Sequence, residues 1–246
     1  MITRFFAKTE TLAEKLNLDY VSDLNILDHS SAIFDFDSNS NSVSNLYDPQ
    51  LFLHLLLDEK PDRLSFDLAD GEVAKRASQV SKSNEVIAKA IGCKSHYRPN
   101  VLDATAGMGR DSLVMAMLGC KVVMQERNFA IFHLLKNALE RLKNDSLSLC
   151  QQDSIQSLAA DKQIDVIYLD PMFPDRKKTA LVKKEMRLFK LLTGNDIDSD
   201  QLLLSALKSK VNRVVVKRPK GSSFLSDKKP SHEIKSKKFR YDVYLC

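Results

Sequence analysis

The chain has 246 residues, is 43% hydrophobic and 28% charged, and carries a formal net charge of +5, an ordinary soluble globular composition with enough length for one α/β domain and a smaller appendage. No run approaches the ~18 consecutive apolar residues of a membrane span, and the opening MITRFFAKTETLAEKL has no apolar signal core, so no membrane partner is expected. Cys93, Cys120, Cys150 and Cys246 form no CxxC pair and have no histidine at ligand spacing. That pattern argues against a disulfide scaffold or a bound metal and for a cytoplasmic protein.

Residues 1–82 read as a small N-terminal α+β region. Within it, the polar run DFDSNSNSVSN (35–45) is a loop or a hairpin connection. LFLHLLLD (51–58) is either a buried strand or a helix turn, because a short apolar run has no periodicity to decide between them. RLSFDLADG (63–71) resembles a strand ending at Gly71, and SNEVIAKAIG (83–92) reads as a helix with a glycine stop.

Residues 83–246 read as one domain in which strands and helices alternate. VLDA, KVVMQE, SLSLCQQD, DVIYLDP and RVVVKRP are the strand segments. DSLVMAMLG, NFAIFHLLKNALERLKN, SIQSLAAD and DSDQLLLSALKSK are the helices between them. Repeated β-α-β units of this length predict a doubly wound, mostly parallel sheet. The last strand, FRYDVYLC, follows its predecessor without a convincing helix and is expected to pair antiparallel.

Charge is segregated along the chain. Residues 1–170 carry 18 Lys+Arg against 24 Asp+Glu, whereas 171–246 carry 19 against 8. A basic C-terminal third suits a polyanionic partner.

Glycine is scarce, seven residues in all, yet Gly107 and Gly109 stand two apart in DATAGMGRD (103–111). This segment follows a strand and opens a helix, where glycines let backbone amides approach a nucleotide. Glu126 lies 19 residues past Gly107, where an acid at the end of the next strand takes ribose hydroxyls. The third glycine of a dinucleotide fingerprint is replaced by Ser112, and an acid, Asp103, precedes the loop. D-x-x-x-G-x-G instead resembles motif I of class I S-adenosylmethionine-dependent methyltransferases. Asp103 or Asp111 then meets the amino-acid end of that cofactor, or Asp103 only caps the loop. Asp153-Ser154 either stands beside the adenine or caps a helix.

Asp170-Pro171-Met172-Phe173 follows the apolar strand VIYL and resembles the (D/N)PP(Y/F) turn of methyltransferases acting on exocyclic or amide nitrogens. Such nitrogens have delocalised lone pairs and need orienting. A carboxylate and a backbone carbonyl accept the two N–H bonds, a proline shapes the turn, and an aromatic ring stacks on the base. Beyond the turn, Lys177, Lys178, Lys183, Lys184, Arg187 and Lys190 form a basic segment, and Lys217 and Arg218 end the next strand. These residues are the expected contacts for an RNA backbone.

Together, VLDATAGMGRDSLVMAMLGCKVVMQERN, DVIYLDPMFPDRKKTALVKKEMRLFK, RVVVKRP and FRYDVYLC resemble the RsmJ family of bacterial 16S ribosomal RNA guanine-N2 methyltransferases. The resemblance implies a class I, Rossmann-like methyltransferase fold and S-adenosylmethionine contacts at Arg110, Asp111, Glu126, Arg127, Asp153, Ser154 and Asp170. It also implies methyl transfer to the exocyclic N2 of a guanosine in 16S ribosomal RNA or the small subunit, without a metal. Two other readings remain open: an N-methyltransferase of DNA adenine, another RNA or a protein amide, and a non-catalytic RNA-binding assembly factor.

Overall fold

The computed structural model describes residues 2–36, 50–81, 85–158, 163–172, 184–194 and 197–246. The N-terminal elements are β1 (Arg4–Ala7), α1 (Glu10–Leu16), β2 (Asp19–Tyr20), β3 (Ser31–Phe36), β4 (Leu51–Leu57) and β5 (Lys60–Leu64). They build a five-stranded sheet in the order β2-β1-β3-β4-β5. β1 runs parallel to both its neighbours, and β3, β4 and β5 alternate in direction. The apolar run at 51–57 is therefore a strand, with Leu53 and Leu55 fully buried beside Ile33 and Phe34. Residues 37–45 of the polar run lie outside the described residues; Phe36 and Leu51 pair antiparallel.

The segment 63–71 departs from expectation. Its strand ends at Leu64, and Gly71 opens α2 (Gly71–Ser78), where the Asp70 carboxylate accepts the Gly71 N–H at 2.6 Å. A cap at an Asp-Gly step starts a helix where the glycine alone looks like a stop.

The second sheet is built of β6 (Val101–Asp103), β7 (Val122–Glu126), β8 (Leu147–Gln151), β9 (Val166–Leu169), β10 (Arg213–Pro219), β11 (His232–Lys235) and β12 (Phe239–Leu245). The remaining helices are α3 (Val86–Ala90), α4 (Arg110–Met117), α5 (Phe129–Leu142), α6 (Ser154–Ser157), α7 (Lys184–Thr193) and α8 (Ser199–Lys208). Strand order is β11-β12-β10-β9-β6-β7-β8. The five strands from β10 to β8 are parallel, and β12 runs antiparallel to both β10 and β11. β6 and β9 are buried along their whole length, the signature of central parallel strands covered on both faces. β11 is absent from the sequence reading because HEIK is a short, mostly exposed edge strand without an apolar run.

The winding reverses between β6 and β9: the chain leaves β6 for β7 on one side and β9 for β10 on the other. In open α/β sheets, ligands sit beyond the carboxyl ends of the strands at such a reversal.

The chain divides into two compact units. One gathers the residues up to Asp67 with Ala130–Lys143 and the stretch carrying α7; the other holds Leu68–Phe129, Asn144–Met172 and Asp196–Cys246. In the first unit the α5 residue Asn137 accepts the Leu51 N–H at 3.0 Å, and Arg141 donates to the Phe66 carbonyl at 2.6 Å. Among the described residues, no helix is long and apolar enough to cross a membrane, and no group of three or more His, Cys, Asp or Glu could hold a metal ion.

Candidate active site

The loop after β6 depends on two left-handed residues, Gly107 (φ 52°) and Gly109 (φ 71°), the second capping α4. A side chain at either position would be strained. Asp103, only 2% exposed, holds this loop from beneath. One of its oxygens accepts the Thr105 N–H at 3.1 Å, and the other accepts the Ser112 hydroxyl at 2.6 Å. The replacement of a third glycine by Ser112 thus gives the buried acid a partner on α4.

Glu126 ends β7 and reaches back to the same loop. Its carboxylate accepts the Gly107 N–H at 3.0 Å and the Asn128 N–H at 2.7 Å. At the end of β8, Asp153 caps α6 by accepting the Ile155 N–H at 3.0 Å, while the buried Ser154 hydroxyl donates to the Ala104 carbonyl at 2.7 Å. Asp153 is thus a helix cap, and Ser154 ties α6 to the loop after β6.

Asp170 leaves β9 beside that loop. Its N–H donates to the Thr105 hydroxyl at 2.7 Å, which joins the two turns directly. Lys217, on β10, donates to Asp170 Oδ2 and to Asp111 Oδ2, both at 2.7 Å. Asp111 also accepts the Tyr168 hydroxyl at 2.6 Å and Arg76 Nη1 at 3.3 Å. Arg76 is itself clamped by Glu85 through Nε at 2.9 Å and Nη2 at 2.7 Å. The described part of the site thus carries four carboxylates, of Asp103, Asp111, Glu126 and Asp170, and the cations of Lys217 and Arg76.

These neighbours set the charges. Burial, reinforced by Asp111 and Asp170, pushes the Asp103 carboxyl up to about 7 against its hydrogen bonds from Ser112 and Thr105. Burial would raise Asp111 too, but the Lys217 ammonium, with the Tyr168 hydroxyl and Arg76, holds it below the ordinary carboxylate range. Burial works against a charged Lys217, yet Asp170 and Asp111 overcome it and keep the ammonium protonated. Burial beside the same two carboxylates raises the Tyr168 hydroxyl, which stays protonated as a donor.

A family model described as "Putative SAM-dependent methyltransferase" matches residues 29–246. Ribosomal RNA small subunit methyltransferase J of Photobacterium profundum is 43% identical over 224 residues, 85% of this chain and 88% of that protein. The protein of the same name from Shewanella piezotolerans is 41% identical over 252 residues, 96% of this chain and 86% of that one. The chain belongs to the methyltransferase J family. A solved structure of a SAM-dependent methyltransferase from Neisseria gonorrhoeae superposes with a TM-score of 0.70 at 26% identity, over 99% of this chain and 96% of that one. The fold is accordingly the class I methyltransferase sheet with its antiparallel end.

Within this methyltransferase J chain, Asp103, Gly107, Gly109, Asp111, Glu126, Ser154 and Asp170 come together through the contacts above. Pro171 is buried directly after Asp170, and Arg110 is exposed at the start of α4. Arg127 is exposed, pairs with Asp198, and stands 4.0 Å from Asp153. Phe173, Lys177, Lys178 and Lys183 lie outside the described residues.

Of the basic residues expected to meet RNA, the described ones have partners within the chain. Lys184 pairs with Asp62 at 2.6 Å and Arg187 with Asp58 at 2.6 Å, both inside the first unit. Lys217 faces the carboxylates of the site, and Arg218 is buried, donating to the Ser223 carbonyl at 2.8 Å. Alternation along β10 explains the last two: neighbouring strand residues point to opposite faces of the sheet. Arg76, Thr105 and Tyr168 are described site residues that the sequence did not single out. For Arg76 the partner Asp111 lies 35 residues away.

Proposed function

We propose that this protein transfers one methyl group from S-adenosylmethionine to the exocyclic N2 of a guanosine in 16S ribosomal RNA. The observation that carries the reading is the convergence of Asp170 on the glycine loop, through the Thr105 hydroxyl and the Lys217 ammonium. A carboxylate at the start of a proline turn then faces the end of the sheet where the cofactor of this family belongs. Its relatives' names, which specify the small-subunit ribosomal RNA, supply the substrate class.

The residues present suit the cofactor. S-adenosylmethionine carries a sulfonium, an ammonium, a carboxylate and two ribose hydroxyls; the carboxylates of Asp111, Glu126 and Asp170 suit its cations and hydroxyls, and the arginines Arg110 and Arg127 suit its carboxylate. Glu126, at the end of β7, is placed for the ribose hydroxyls. Asp111 and Arg110 are assigned to the amino-acid end, Arg127 to a further polar group of the cofactor, and Asp153 to the adenine side. Asp103, Gly107, Gly109 and Ser154 keep the loop in the shape that receives them. When bound, the cofactor supplies an electrophilic methyl on its sulfonium.

The chain's own part is to orient a poor nucleophile. Asp170 and the Pro171 carbonyl accept the two N–H bonds of the guanine amino group, so its lone pair is turned out of conjugation. Phe173 is assigned the ring that stacks on the base. The surplus proton leaves to Asp170 or to water, and no metal takes part.

The test is incorporation of labelled methyl from S-adenosylmethionine into unmethylated 16S ribosomal RNA or small subunits, followed by nucleoside analysis. Wild-type protein should yield N2-methylguanosine. Folded Asp170→Ala should lose at least about 100-fold in rate, the scale of a lost positioning and proton-accepting group. Wild-type rates from Asp170→Ala would overturn the assignment.

A further inference from the structure

We infer that the β11–β12 turn, together with Lys220 at the end of β10, is the surface that carries the RNA backbone as the target base enters the site. This inference rests on the ribosomal RNA reading above and extends it to a surface outside the basic 177–190 segment and Lys217.

Strand direction places the turn. β10 runs parallel to β9, with Val216 opposite Leu169, so Lys217 stands level with Asp170 at the ligand edge of the sheet. Pro219 pairs with Phe239, and the Lys220 N–H donates to the Lys238 carbonyl at 3.3 Å. The turn is closed by the Ser236 N–H on the Phe239 carbonyl at 2.8 Å. Lys220, Lys235, Lys237 and Lys238 are therefore gathered at the same carboxyl edge as Asp170, and all four are exposed. At ~3.3 Å per residue, Lys220 lies about 10 Å beyond Lys217 along the strand.

The charge there is lopsided. No acid lies among residues 234–241, and of the two that flank it Glu233 faces Arg240 at 3.6 Å and Lys235 at 3.7 Å, while the buried Asp242 pairs with Arg240 at 2.7 Å. Between the lysines and the carboxylates sits Phe239, half-buried, with the Lys217 ammonium 5.4 Å from its ring centroid. The path from the turn inward thus goes from clustered cations to an aromatic face to Asp170, the order a single-stranded nucleic acid requires for phosphate neutralisation and base stacking. Meanwhile Lys184, Arg187 and Lys217 are engaged with carboxylates of the chain itself.

The fold also provides an internal control. Lys228 and Lys229 are exposed lysines of the same segment, but the Tyr244 hydroxyl donates to the Lys228 carbonyl at 3.0 Å, and Tyr244 pairs with Val214 near the amino end of β10. They carry the same charge at the opposite edge of the sheet.

The experiment compares Lys237→Gln/Lys238→Gln with Lys228→Gln/Lys229→Gln in the full chain, using transcribed 16S ribosomal RNA. The inference expects the turn variant to bind RNA about tenfold more weakly and to lose about 1–2 from the slope of log affinity against log salt. Its KM for RNA should rise while kcat at saturating RNA and the S-adenosylmethionine affinity by calorimetry stay at wild-type values. The control variant should match wild type throughout. Identical RNA affinities and salt slopes in all three proteins, with methylation by wild type intact, would overturn this inference alone. Absence of methyl transfer by wild type would instead contradict the functional reading on which it rests.

Discussion

The ammonium of Lys217 lies 2.7 Å from Asp170 Oδ2 and 2.7 Å from Asp111 Oδ2, linking the turn after β9 to the first turn of α4. Lys217 is 22% exposed and Asp111 11%, so removing the cation leaves two carboxylates facing each other in a poorly solvated place. Lys217→Met should cost about 2–3 kcal/mol of stability, less than the ~3–5 kcal/mol of a fully buried pair because Asp170 is 37% exposed. It should also raise the proton affinity of Asp111, so the acid limb of the methylation pH profile moves to higher pH. Lys217→Arg should restore much of both. An unshifted acid limb in Lys217→Met would show that the ammonium does not set the charge of this site.

Asp103 gives a second, oppositely signed pH effect. Its carboxyl titrates at about 7 in the fold, above its value of 3.8 in an unfolded chain. As pH rises from 4 to 7, the unfolded chain gives up this proton before the folded one does, and stability falls through that window. Asp103→Asn should lose this dependence. Whatever fixed offset the Ser112 contact contributes, the variant's Tm relative to wild type should climb between pH 4 and pH 8, by several degrees for a term on the order of 2–4 kcal/mol. Parallel curves of Tm against pH would contradict the assignment.

Glu126 holds two backbone N–H groups of the loops around it. Glu126→Gln keeps the shape but offers one acceptor oxygen in place of a carboxylate. Calorimetry should show S-adenosylmethionine bound about tenfold more weakly, the scale of one charge-assisted hydrogen bond, with Tm lower by a few degrees because the amide NH2 faces one of the two backbone donors. An unchanged affinity would remove Glu126 from the cofactor site.

The legible parts of the sequence were those where local pattern and burial agree. β9 and the Val214–Val216 stretch of β10 are continuous apolar runs because both faces are covered, and DATAGMGRD announces a strand–loop–helix turn by its two glycines. The antiparallel end of the sheet followed from the missing helix before FRYDVYLC. What stayed hidden depends on distance or exposure. α2 is polar and opens on a glycine, and β11 is a short edge strand. The five-stranded N-terminal sheet depends on the parallel pairing of β1 with β2 and β3, which no hairpin signal marks. Lys217 was singled out, but its partners Asp111 and Asp170 lie 106 and 47 residues away. Only strand order brings them to it, so the sequence shows the basic dipeptide without its acidic partners. Lys184 and Arg187 show the same limit, since Asp62 and Asp58 reach them through tertiary packing.

The central claim is that the proline turn at Asp170 presents a guanine amino group of 16S ribosomal RNA for methylation. The most direct measurement is mass spectrometry of 16S ribosomal RNA nucleosides from cells lacking this protein, with complementation by wild type and by Asp170→Ala. The account predicts loss of one N2-methylguanosine per small subunit, restored by wild type and not by Asp170→Ala. An unchanged N2-methylguanosine content in cells lacking the protein would contradict it.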